Sequence, residues 1–115
     1  MTNLFLRVPL QEKVLFTKNL ALSLKAGISL VKSLQFFRNQ TRNRSFKKIL
    51  DVLIDDANRG VFLSVSLMKY KNVFGELFIN LIKVAETSGT LPESLLYLGN
   101  ELKKKSDLRK KVKGA

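Results

Sequence analysis

Any chemistry in this chain must be done by carboxylates, hydroxyls, amines and guanidinium groups, because its 115 residues include neither histidine nor cysteine. That removes the commonest catalytic base, the neutral imidazole ligand, thiolate metal sites and disulfides. A hydrolytic centre would need paired carboxylates or an activated serine. Asp55 and Asp56 are adjacent in sequence, and on a helix adjacent residues do not share a face. Ser64, Ser66 and Ser88 have no base close in sequence and read as caps or turn residues. Gly27, Gly60, Gly75, Gly89 and Gly99 are isolated, so no glycine-rich phosphate loop is present. The chain is not expected to be an enzyme.

Glu86 is the acidic residue with most to explain. It lies near the expected C-terminal end of a helix, where the dipole disfavours negative charge, just before the turn Thr87-Ser88-Gly89. Its carboxylate has four candidate roles: bonding turn amides, pairing with a lysine, holding a divalent cation, or touching a partner. The cation role needs two or more further oxygen ligands. No other cofactor is expected.

The elements that would position these residues are helical. Leu77, Phe78, Leu81, Ile82 and Ala85 recur at helical spacing, Thr87-Ser88-Gly89 interrupts them, and Leu91, Leu95, Leu98 and Leu102 start a second stripe. Thr90 is placed as an N-cap with Glu93 three positions on, forming a capping box, and Pro92 sits in the first turn. Gly89 supplies the permissive backbone that ends the earlier helix. The other helices are expected to pack around this hairpin.

Upstream, residues 1–10 read as an irregular leader. Phe16, Leu20 and Leu24 mark a first helix from Gln11 to Ala26, with Leu15 and Leu22 on its flanks; Ser29 caps a second carrying Leu30, Leu34 and Phe37. Asn43 caps a third, with Phe46, Ile49, Leu50, Leu53, Ile54 and Ala57 as its apolar face, ending near Gly60. Ser64 is expected to cap a short helix with Leu67 and Met68, followed by a connection from Tyr70 to Val73. The expected fold is all-α: a compact six-helix bundle of antiparallel helical hairpins. Residues 11–105 form the domain and 106–115 a basic tail.

The net charge of +12 is unevenly spread. Residues 1–48 hold ten Lys or Arg against one acid, 49–101 hold four against seven, and 102–115 hold seven against one. Such ends suit nucleic acid, anionic lipid headgroups or an acidic protein. A basic helical nucleic-acid-binding domain is therefore the rival reading. Against it, the helix after Thr90 opens with Pro92, Glu93 and Ser94, and an acidic start faces a phosphate backbone unfavourably. No run of eighteen apolar residues is present.

The run Leu20-Ala21-Leu22-Ser23-Leu24-Lys25-Ala26-Gly27-Ile28-Ser29-Leu30, with Ser33-Leu34, resembles the first cytoplasmic domain of type II secretion system F proteins and the related platform proteins of type IV pili. Arg59-Gly60-Val61-Phe62-Leu63-Ser64 is similar to that family's glycine-leucine-serine segment. Phe74, Ile82 and Ala85-Glu86-Thr87-Ser88-Gly89-Thr90-Leu91 are similar to its signature. The similarity spans Pro9 to Ala115 and looks closer to the pilus-assembly branch.

This resemblance implies a six-helix cytoplasmic domain of a bacterial inner-membrane protein, followed in the longer chain by membrane helices. It implies as partners the assembly ATPase, other inner-membrane pilus or secretion proteins, pilin or pseudopilin subunits, and further copies in a homo-oligomer. Nucleic acid is not among them. A partner surface is expected around Glu86, Ser88, Gly89, Thr90 and Glu93 and on the basic N-terminal half. Lys103, Lys104, Lys105, Arg109, Lys110, Lys111 and Lys113 would lie beside an anionic membrane surface.

Overall fold

Two of the expected caps set the frame of the first three helices. The Ser29 hydroxyl accepts from the Lys32 N–H at 3.2 Å, and the Asn43 carboxamide oxygen accepts from the Phe46 N–H at 2.8 Å. The computed structural model describes residues 7–114. Residues 1–6 of the expected leader, the Lys113 side chain and Ala115 lie outside the described residues.

Among the described residues the chain forms α1 (Leu10–Lys25), α2 (Leu30–Gln40), α3 (Arg44–Asn58), α4 (Leu63–Leu67), α5 (Lys71–Phe74), α6 (Glu76–Ser88) and α7 (Leu91–Gly114). A 3-10 turn, Met68–Tyr70, joins α4 to α5. The six expected helices are all present. The segment expected as a plain connection, Tyr70 to Val73, is helical too, because burial of Tyr70 and Phe74 draws it onto the core. No break separates the basic tail from the domain, since α7 runs unbroken past residue 105.

The most extensive contact is between α1 and α7, with α2 on α3, α1 on α2, α4 on α6 and α6 on α7 completing the bundle. The α6–α7 hairpin is thus one side of the structure, and α1 shares the organising role expected of it alone. At Gly99 of α7 a Cβ would stand 2.7 Å from the Lys18 Cγ and 3.4 Å from its backbone nitrogen. A larger residue there would force the Lys18 side chain or the two helices to shift.

The centre is aromatic. Phe16 meets Phe37 at 5.5 Å and Phe46 at 5.1 Å, both edge-on, while Phe74 lies 6.3 Å from Phe46 and 5.5 Å from Phe78. These five rings come from α1, α2, α3, α5 and α6, so one contact network ties five helices together. Leu67 of α4 and Leu95 of α7 close it, each fully buried.

One inward assignment needs correction. Leu77 is 74% exposed, and Ile79 is buried instead. The α6 inner face is Phe78, Ile79, Ile82 and Ala85; Leu77 lies roughly 140° from the middle of that arc, on the side away from Ile79, and misses it. Leu15 and Leu22, expected on the flanks of the first helix, are exposed.

Candidate functional site

The α6 C-terminus is closed by its own turn. Gly89 adopts φ 74°, ψ 24°, and the Thr90 N–H donates to the Ala85 carbonyl at 3.0 Å, the bond of a glycine-terminated helix. The Thr87 hydroxyl donates to Val84 O at 2.9 Å, and the Ser88 and Thr90 hydroxyls share a hydrogen bond at 2.8 Å. Thr90 therefore lacks the expected capping box: the N–H that Glu93 would have accepted from is already bonded to Ala85. Thr90 starts α7 through its carbonyl, which accepts from the Ser94 N–H at 3.0 Å.

With the turn saturated by its own groups, Glu86 reaches across to α4. Its Oε2 accepts from the Leu63 N–H at 2.6 Å and its Oε1 from the Ser64 N–H at 3.2 Å. Phe62, at the N-cap position of α4, has no side-chain oxygen to offer. A residue 23 positions away thus caps this helix. The charge that α6 disfavours at its C-terminus is favoured at the start of α4, where free N–H groups point at it. Ser64, expected as the cap, is instead a capped residue and is itself buried.

The same short helix is held from a second side. Asp56 on α3 has a side chain only 4% exposed. It accepts from the Ser66 hydroxyl at 2.6 Å and the Lys69 ammonium at 2.6 Å, with Arg59 at 3.4 Å. The Lys69 bond first, then that of Ser66, holds the Asp56 carboxyl below its ordinary range against the opposing effect of burial. Asp55 points outward and pairs with Arg59 at 2.6 Å. Two carboxylates, Glu86 and Asp56, thereby clamp α4. Its outer face is left carrying Phe62, Val65 and Met68, which are 63%, 55% and 51% exposed.

Ser88, Gly89 and Thr90 lie together in the exposed turn beside Glu86. Glu93 is separate from them, on the rim of a 320 Å³ cleft between α1 and α7 with Leu22, Lys25 and Tyr97. Lys103 pairs with Asp107 at 3.2 Å and Lys104 with Glu101 at 3.1 Å, while Lys105, Arg109, Lys110 and Lys111 are exposed. Among the described residues no three His, Cys, Asp or Glu side chains converge to hold a metal ion. Both Glu86 oxygens are occupied by amides. No described helix is long and apolar enough to cross a membrane.

Asp56 is the residue that sequence reasoning passed over, although a signal was present. It falls at the i+3 position after Leu53, in phase with the buried Phe46, Ile49 and Leu53 of α3. An acid in an apolar phase implies a buried partner.

Comparison with known proteins places this arrangement. Residues 16–115 match the family model for the type II secretion system (T2SS), protein F. Among curated proteins the chain is 37% identical over 106 residues to the type IV pilus assembly protein PilC of Thermus thermophilus, covering 92% of this chain and 26% of that protein. It is 32% identical over 105 residues to PilC of Myxococcus xanthus, with 91% and 25% covered. To the type II secretion system protein F of Xanthomonas campestris it is 28% identical over 99 residues, with 86% and 24% covered. The chain thus spans about a quarter of the length of these relatives. With this match running from within α1 to the end of α7, the chain belongs to the type II secretion system protein F family.

Proposed function

We propose that this chain is the first cytoplasmic domain of an inner-membrane platform for type IV pilus or type II secretion pseudopilus assembly. In this reading it docks the cytoplasmic assembly ATPase and neighbouring inner-membrane components, and in the longer protein it contributes to a homo-oligomer that handles pilin or pseudopilin subunits. The names of the relatives support the assembly role.

The observation that carries the docking proposal is the clamped α4. Two buried or half-buried carboxylates hold five residues in place, and the product is an outward stripe of Phe62, Val65 and Met68. Val65 on a fixed helix, with Phe62 at its N-cap and Met68 at its C-cap, offers a partner exposed apolar side chains on a held segment.

The test is a double substitution, Val65→Glu with Met68→Glu, in the full-length protein. Both sites are exposed, so the thermal unfolding midpoint of the 115-residue chain should change by less than the equivalent of about 0.5 kcal/mol. Pilus assembly should be lost, together with crosslinking of a photoreactive group at residue 62 to the ATPase. Normal piliation in that variant would overturn the proposal. For the nucleic-acid rival, DNA affinity is expected to match that of any protein of equal charge and to fall steeply with salt.

A further inference from the structure

Where α1 begins and α5 passes, the surface opens into a 440 Å³ cleft lined by Arg7, Val8, Pro9, Lys13, Asn72 and Val73. The Lys13 ammonium donates to the Val73 carbonyl at 3.0 Å, which fixes it half-buried at the cleft wall. On the α7 side, the Ser106 hydroxyl donates to Gln11 Oε1 at 3.4 Å and holds that turn against the start of α1. Lys105 and Arg109, one turn apart, flank Ser106 on α7. Burial first, then repulsion from Lys105 and Arg109, lowers the proton affinity of Lys13, so the three cations feel one another.

The acids that could neutralise this cluster are engaged elsewhere. Glu12 accepts from the Thr41 hydroxyl, Asp107 pairs with Lys103, and Glu76 pairs with Lys71. No carboxylate among the described residues pairs with Arg7, Lys13, Lys105 or Arg109. Clustered positive charge beside a part-apolar wall raises the local potential and concentrates anions there. The next turns of α7 add Leu108 and Val112, 63% and 70% exposed, among further lysines. Exposed apolar groups interleaved with cations are the composition of a helix surface at a lipid interface.

We infer that this cleft binds the phosphate of an anionic phospholipid, with Arg7, Lys13, Lys105 and Arg109 as its ligands and Leu108 and Val112 meeting the acyl boundary. The inference rests on the reading of the chain as a domain beside the inner membrane, and it adds a built headgroup site to the general attraction of a basic tail.

Flotation of the 115-residue chain with phosphatidylcholine vesicles, with and without phosphatidylglycerol, tests it. Binding should require phosphatidylglycerol. The variant Lys13→Gln, Lys105→Gln and Arg109→Gln should bind about tenfold more weakly or worse, whereas Arg42→Gln, Lys47→Gln and Lys48→Gln, which removes equal charge elsewhere, should lose less than threefold. If the first variant unfolds, Lys105→Gln with Arg109→Gln, both exposed, must show the same loss. Equal losses in the cleft and control variants would overturn the site. Displacement by inorganic phosphate beyond that by chloride of equal ionic strength would assign it to free phosphate and overturn the lipid. Either failure would leave the piliation result for Val65 and Met68 intact, so the two readings fall separately.

Discussion

Glu86 and Asp56 are both acids whose value lies in what they hold still. For Glu86, truncation to alanine leaves the Leu63 and Ser64 amides without their acceptor, at a cost of about 2 kcal/mol. The Glu86→Gln change keeps one acceptor oxygen and should cost about half that; urea unfolding of the two variants measures both. A loss under about 0.3 kcal/mol for Glu86→Ala would show that water replaces the cap. For Asp56, the folded carboxyl is held below its ordinary range. Its contribution is therefore complete above the unfolded carboxylate value of about 3.9 and disappears as pH falls through the lower folded value. Asp56→Asn should be destabilised at pH 7, because the buried Ser66 hydroxyl and Lys69 lose a charged acceptor, and its stability should decline less steeply than the wild type below about pH 4. Parallel acid limbs for the two proteins would refute this role.

At the scale of the elements, two glycines do opposite kinds of work. Gly89 has open space around it, but its φ of 74° disfavours a side chain. Gly99 is helical, and a side chain there meets Lys18 at 2.7 Å. Gly89→Val should cost about 1–2 kcal/mol through the backbone alone, and Gly99→Val about 1–3 kcal/mol through overpacking. Shortening Lys18 to alanine removes the Cγ and should relieve part of the Gly99→Val penalty and none of the Gly89→Val penalty; thermal unfolding of the double variants distinguishes them. The stop at Gly89 was legible because a helix-terminating glycine is a local signal. Gly99 was not, since its neighbour lies on another helix. For the same reason the caps at Ser29 and Asn43 were legible, while Ser64 was misassigned: its amide is satisfied from α6, outside any local window.

For the whole molecule, the radius of gyration of 13.7 Å is close to the roughly 13 Å of a packed domain this long. Of the basic residues in the two halves of the chain, Lys13 of α1 and Lys105 and Arg109 of α7 lie on helices that pack together, while Arg44, Lys47 and Lys48 lie on α3, which is why a uniform basic surface and a local cationic site make different predictions for lipid binding. The sequence by itself determined the helical class, the six main helices, most of their inward faces and the family, because periodicity, caps and stop signals act over one or two turns of chain. Only the tertiary structure decided that Glu86 caps α4, that Asp56 anchors it, that five phenylalanines share one centre, and that Ser106 of α7 packs against Gln11 at the start of α1. Each of those depends on how helices cross, and a crossing is set by the summed packing of distant side chains that no local pattern encodes.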